Sequence, residues 1–303
     1  METFLAKREM PLELLLYESL SRRKNLNDKE QKYYLNLKRG YEGEVIFSEH
    51  TEELKGKHLV LTDLIFECNQ TIFQIDCLII TQERIYLYEV KNYEGDFYFE
   101  GDKFFKKPRL EVMNPLHQLG RTESLFRQLL QSFGFQTPVK AYVVFVNPAF
   151  TLYQAPIDIP IIFPTQIKKH IELVSIETAI VTSSHKRLAK KLIENRRSSS
   201  PYQQLPSYEY NDLRKGIVCA SCGSLSVMLV KRACVCKVCG RKEPVSKAIL
   251  RSVKEFQLLF PNRKVSTSQI YDWCKIIESK KSIQRVLSNN FKAVGSKRWT
   301  YYE

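Results

Sequence analysis

Asp76, Glu89 and Lys91 interrupt two runs that otherwise read as buried β-strands, "TIFQIDCLIIT" and "RIYLYEVKN". Glu89 and Lys91 are two residues apart, so on a strand they share a face. If the connecting turn has an even number of residues, for instance Glu83-Arg84, Asp76 pairs across from Lys91 and Leu78 across from Glu89, with Asp76 diagonal to Glu89. All three groups then converge on one face, and a slip of one residue would turn Asp76 away. Converging carboxylates repel each other, and buried acids are rare unless paired or metal-bound. Lys91 supplies one positive charge and a divalent cation the other. Hard carboxylate oxygens suit Mg²⁺ or Mn²⁺, which also bind phosphate oxygens. Such an ion lowers the pKa of bound water and stabilises charge on a phosphodiester under attack. The plainer alternative is a salt-bridged strand triplet.

A second constellation is made of sulfur. "CASCGS" (219–224) and "CKVCGR" (236–241) are twin Cys-x-x-Cys-Gly knuckles separated by thirteen residues. Zinc takes four soft ligands tetrahedrally, and each knuckle turns two thiolates toward one point, so Cys219, Cys222, Cys236 and Cys239 are the expected Zn²⁺ ligands. The glycine after each second cysteine can take the positive φ the turn requires. Cys234 is an alternative to Cys236, with poorer spacing. Cys68, Cys77 and Cys274 read as small buried hydrophobes. Metal-bound thiolates in a reducing cytoplasm fit these eight cysteines better than a disulfide framework.

These side chains need a scaffold. Residues 1–48 read as helical: Leu12, Leu15, Leu16 and Leu20 are spaced for one helix face, and a polar helix starts near Asn27 or Asp28. "HLVLTDLIFE" and "TIFQIDCLIIT" flank Asn69-Gln70, a hairpin signal, and "DFYFEGDKFF" turns near Gly101-Asp102. A helix opens after Pro115 and stops at Gly134, and "VKAYVVFVNP" is a buried strand. Strand, helix and strand thus alternate as in an α/β core. Two more helices are expected within 165–195. The domain reading is 1–195, a polar linker at 196–215, a zinc ribbon at 216–244 and a basic helical segment at 245–303.

Asp76, then Glu89-Val90-Lys91, preceded by a helical Gly-x-x-Gly-Glu, resembles the PD-(D/E)xK nuclease superfamily. Within it, the chain is similar to the nuclease-related domain (NERD) family of bacterial proteins. "GYEGEVIF", "QIDCLII", "YEVKNYEG" and "NPLHQL" stand in that family's order between about Lys38 and Pro148. The resemblance implies a restriction-endonuclease-like core, a mixed sheet flanked by helices. It also implies that Asp76 and Glu89 ligate Mg²⁺ or Mn²⁺ with help from the Val90 carbonyl. Lys91 would orient the attacking water or stabilise the phosphorane-like charge. Glu44 would bind a second metal or a metal-bound water, and Gln118 would hold water or substrate unless it is an ordinary polar helix residue. Ile75 stands where the superfamily's name has proline, a position with no chemical duty. Gly40 and Gly43 would either allow close approach of their helix to the sheet or to a phosphate, or fray that helix.

The chain carries 303 residues and a net charge of +14. Residues 245–303 hold twelve Lys/Arg against four Asp/Glu, or +8 of that total. Such a segment suits a polyanion, because each neutralised phosphate releases condensed counterions. "STSQIYDWCKIIESKKSIQRVLSNNF" splits into two short helices, capped by Ser266 or Thr267 and by Ser279 or Ser282. After the "SKAILRSVKEFQLLF" helix they resemble a helix-turn-helix, with Lys280, Lys281, Gln284 and Arg285 facing a DNA groove and "KAVGSKRWTYYE" adding a wing. No run of residues is long and apolar enough for a membrane span, and the N-terminus lacks a secretory pattern. The sequence therefore points to a metal-dependent nuclease acting on nucleic acid, DNA before RNA. The alternative is a non-catalytic DNA-binding or regulatory protein built on an inactive nuclease-like fold.

Overall fold

The computed structural model describes residues 4–6, 8–56, 58–177, 181–199, 201, 203–296 and 299–303. The chain divides into two compact units: 1–10 with 36–203, and 11–35 with 204–303. This differs from the linear reading. The N-terminal helix α1 (Leu12–Arg23) buries Leu16 and Leu20 in the same apolar cluster as the zinc-knuckle hairpin and the C-terminal helices. Three segments that looked separate along the sequence therefore share one core. Ser200 and Tyr202, within the expected linker, lie outside the described residues.

The first unit opens on a strand where a helix was expected. β1 (Phe4–Ala6) pairs in parallel with β2 (Leu59–Cys68). The long helix α2 (Asp28–Glu52), of which residues 36–52 belong to this unit, begins where its polar start predicts. Strands β2 and β3 (Thr71–Ile80) form the expected hairpin: Asn69 and Gln70 both have positive φ, at 48° and 59°, the pairing of a type I′ turn. β4 (Ile85–Lys91) follows. β5 (Gly95–Glu100) and β6 (Lys103–Lys106) turn through Gly101, and β7 (Leu110–Val112) leads into α3 (Pro115–Ser132). Asn114 caps α3 by accepting from the Leu116 N–H at 2.9 Å, and Gly134 follows it at φ 80°. β8 (Val139–Phe145) then pairs in parallel with β4, which closes a strand–helix–strand crossover.

β9 (Phe150–Tyr153), β10 (Ile161–Ile162), α4 (Ile167–Ile176) and α5 (Ser183–Asn195) complete the unit. The main sheet runs β1-β2-β3-β4-β8-β10 and a smaller one runs β7-β6-β5-β9. One face of the main sheet packs Leu61, Leu78 and Leu87 with Phe126 of α3 and Leu188 of α5. The other packs Val60, Ile79 and Tyr88 with Phe47 of α2 and Ile171 of α4. Helices therefore cover both faces of a mixed sheet, as the α/β expectation requires.

In the second unit, β11 (Val227–Val230), β12 (Ala233–Cys236) and β13 (Lys242–Pro244) form an antiparallel sheet. Helices α6 (Val245–Leu259), α7 (Thr267–Cys274) and α8 (Lys280–Asn290) follow, then β14 (Ala293–Val294) and β15 (Tyr301–Tyr302). Ser266 and Ser279 are the N-caps of α7 and α8. Val265 bridges to Tyr302, which ties the last strand beside the helices. At the centre, Arg23 is fully buried over the Trp273 ring at 3.9 Å. Its guanidinium donates to both oxygens of Glu255, at 2.9 and 2.5 Å, and to the Arg214 and Gly216 carbonyls.

Candidate active site and metal centres

The β3–β4 ladder pairs Cys77 with Tyr88, Leu78 with Leu87 and Ile80 with Ile85. The connection is a four-residue turn, Thr81 to Arg84, closed by Thr81 N–H donating to the Arg84 carbonyl at 3.0 Å. The turn has the even number of residues the convergence needs, but four instead of the two of Glu83-Arg84, so β4 slides by two positions. Asp76 and Glu89 come opposite one another, instead of Asp76 opposite Lys91. A slide of two preserves the face, so Glu89 and Lys91 stay on the α3 side. The ladder ends at Cys77 and Tyr88, and Asp76 turns its carboxylate into the gap, where Oδ2 accepts from the Val90 N–H at 2.8 Å. The Val90 carbonyl leaves the strand on that same edge, as N–H and C=O of one strand residue do.

Glu89, Lys91 and Gln118 close a triangle. Lys91 Nζ donates to Glu89 Oε1 at 2.8 Å and to Gln118 Oε1 at 2.9 Å, and Gln118 Nε2 donates to Glu89 Oε1 at 2.6 Å. Gln118 lies in the first turn of α3, held there by the Asn114 cap. An ammonium has three donors, so this arrangement leaves Lys91 one for another acceptor. Asp76, Glu89, Val90, Lys91 and Glu44 line a cleft of about 940 Å³ that Arg39 and Lys106 also enter.

Both carboxylates are buried, Asp76 at 7% and Glu89 at 4% exposure. Burial and then the charge of Asp76 push Glu89 up to about 7, with Lys91 pulling the other way. Burial also raises Asp76 against the opposing pull of Lys91, the Val90 N–H and Arg8. Burial opposes the charge on Lys91, but Glu89 and Asp76 together outweigh it and hold Lys91 above its ordinary range. Two buried oxygen anions with too little positive charge around them are a donor set that fits a hard divalent cation. Glu44 is placed differently: it ion-pairs with Arg8, whose other terminal nitrogen donates to the Asp76 carbonyl at 2.7 Å.

Two neighbours of these carboxylates are not legible in the sequence. Arg8 lies 68 positions before Asp76 and carries no motif. Asp63 interrupts the β2–β3 ladder between the pairs Thr62–Cys77 and Leu64–Ile75, directly across from Asp76, with φ at 54°. A non-glycine residue in left-handed backbone inside a strand is costly and clusters at functional sites. The break also upsets strict alternation: the buried apolar series steps from Ile75 to Leu78 and from Leu61 to Leu64. Gly43, which sequence reading did single out, is where α2 meets the sheet. A Cβ there would stand 2.6 Å from Asn92 Cβ, whereas one on Gly40 would meet nothing.

In the second unit the sulfur atoms of Cys219, Cys222, Cys236 and Cys239 all lie within 4.8 Å of one another. The pairs Cys219–Cys239 and Cys222–Cys236 stand at 3.6 Å. Gly223 and Gly240 take φ of 70° and 71°, as the knuckle turns require. Burial opposes charging of Cys219, yet N–H groups of Cys222 and Ser221 outweigh it and lower that thiol toward the thiolate a metal needs. Cys234 lies in the apolar core and outside this cluster. Cys77 and Cys274 are buried and Cys68 half-buried, as expected of small hydrophobes. Among the described residues this is the one group of three or more His, Cys, Asp or Glu with its ligating atoms so close. Lys280, Lys281, Gln284 and Arg285 are all exposed on the first turns of α8.

Residues 39–146 match the family model described as the nuclease-related domain (NERD), which covers about a third of the chain and contains Glu44, Asp76, Glu89, Lys91 and Gln118. The zinc-ribbon-like cluster of four cysteines lies outside that match. No curated protein and no solved structure matches the chain. Among the described residues, no helix is long and apolar enough to cross a membrane.

Proposed function

We propose that this protein is a divalent-metal-dependent nuclease that hydrolyses phosphodiester bonds in DNA. The observation that carries the reading is the buried Asp76–Glu89 pair, joined to Lys91 and Gln118, at the wall of a cleft within the nuclease-related stretch. Asp76, Glu89 and the Val90 carbonyl would hold Mg²⁺ or Mn²⁺. When bound, such an ion lowers the pKa of its water and offsets charge on the phosphate. Gln118 and Glu89 fix the Lys91 ammonium, whose remaining donor orients the attacking water or a phosphate oxygen. Arg39 and Lys106 supply positive charge along the cleft for the substrate backbone.

The second unit would hold one structural Zn²⁺ on Cys219, Cys222, Cys236 and Cys239 and bind the duplex. The order α6, Val265, α7, α8, β14, β15 supports a winged helix-turn-helix reading in which Lys280, Lys281, Gln284 and Arg285 meet the groove. Eight free cysteines support a reducing, cytoplasmic setting. The direct test is Mg²⁺-dependent cleavage of single- and double-stranded DNA by wild type and Glu89→Ala. Cleavage by wild type, lost by at least about a hundredfold in the variant, supports the proposal. Tight binding without cleavage by either protein would instead make the chain a binding protein.

A further inference from the structure

Residues 1–10 precede the stretch that matches the family model, yet they belong to the unit that holds the carboxylates. Arg8 follows β1 and is enclosed, with its side chain 6% exposed. One terminal nitrogen pairs with Glu44 Oε2 and the other donates to the Asp76 carbonyl at 2.7 Å. Asp76 stands opposite Asp63, where the β2–β3 ladder is interrupted, so the guanidinium bonds β3 at its irregular point. Arg8 Nε is also buried, with no hydrogen-bond partner among the described residues.

A guanidinium stays charged at any pH the protein meets and cannot be neutralised by losing a proton. Glu44 is therefore already matched by a fixed positive charge, and a dication brought to it would meet that charge at close range. Removing Glu44 would leave Arg8 buried with only a carbonyl acceptor. We propose that Arg8 is a positioning residue that takes the place of a second metal. It reserves Glu44 and pins the Asp76 backbone, so that the site takes a single divalent cation on Asp76 and Glu89. This rests on the reading that Asp76 and Glu89 bind a divalent metal.

The test is Mn²⁺ calorimetry on the full-length, zinc-loaded protein, with Asp76→Asn marking the ion on Asp76 and Glu89 and Glu44→Gln marking any ion on Glu44. Wild type is expected to take one. Glu44→Gln should keep that count, since it removes no ligand, although the Arg8 charge it leaves unmatched weakens binding. Arg8→Gln should raise the count to two by freeing Glu44, and Arg8→Lys should restore one. Two ions in wild type, no ion in folded Glu44→Gln, or a single ion in folded Arg8→Gln would each overturn the proposal. If Arg8→Gln does not fold, the Glu44→Gln comparison decides alone. Mn²⁺ binding that survives Asp76→Asn would instead overturn the metal site itself.

Discussion

Burial and the neighbouring Asp76 hold Glu89 at about 7, against an ordinary value of 4.5. A carboxyl raised in the folded state favours folding while both states are protonated, and that contribution is lost as pH climbs from the unfolded value to the folded one. The metal-free protein is therefore expected to lose stability between about pH 4.5 and 7, by up to about 3 kcal/mol from this group. Glu89→Gln should flatten that slope in a series of urea melts; an unchanged slope contradicts the assignment. Mg²⁺ must displace the proton, so its stabilising effect should grow up to about pH 7. Gln118→Ala should cut kcat by about tenfold or more and weaken Mg²⁺ binding with it, because it removes a hydrogen bond to Glu89 and leaves Lys91 held by Glu89 alone. An unaltered kcat would make Gln118 a bystander. Asp76, Glu89 and Lys91 were legible in the sequence because charge inside an apolar strand is conspicuous. Arg8 was not, since a lone arginine in a polar stretch announces nothing until β1 carries it to the sheet.

At the scale of the elements, the approach of α2 to the sheet depends on one missing side chain. Gly43→Ala would press a methyl group to 2.6 Å from Asn92 Cβ and 3.3 Å from Val146 Cγ2. The helix, and Glu44 with it, must then shift. Overpacking of this kind costs about 1–3 kcal/mol, which a thermal melt can read. Gly40→Ala, with open space around it, should be neutral or slightly stabilising. In the second unit, Arg23→Met should destabilise by about 3–5 kcal/mol, since Glu255 would be left without its buried partner. Caps, hairpins and the β4–α3–β8 crossover could be read from glycines, prolines and apolar spacing. The β3–β4 register could not, because Glu83-Arg84 is as good a turn on paper as the four residues that form it. Parity saved the site: sliding by two leaves each side chain on its face. The N-terminal strand was missed because only its pairing with β2 makes Phe4–Ala6 extended.

For the molecule as a whole, α1, the cysteine hairpins and the last three helices stand or fall together, because they share one apolar cluster. Cys219→Ser is therefore expected to lower bound zinc and the melting temperature of that unit together, and unchanged zinc content would contradict the assignment. Its boundary was not legible, since α1 is far from the C-terminal segment in sequence and only tertiary packing unites them. The charge asymmetry was legible from composition alone. A triple variant, Lys280→Ala with Lys281→Ala and Arg285→Ala, touches exposed side chains and spares the core. It should weaken DNA binding and reduce the slope of log K against log salt by about one per phosphate contact removed. An unchanged slope would place the DNA elsewhere. The most direct test of the whole account is anomalous diffraction from crystals of the full chain soaked in Mn²⁺, collected at the manganese and zinc edges. A manganese peak is expected in contact with the carboxylates of Asp76 and Glu89, and a zinc peak among the four cysteines. Zinc at the cysteines with no manganese beside Asp76 and Glu89 would contradict it.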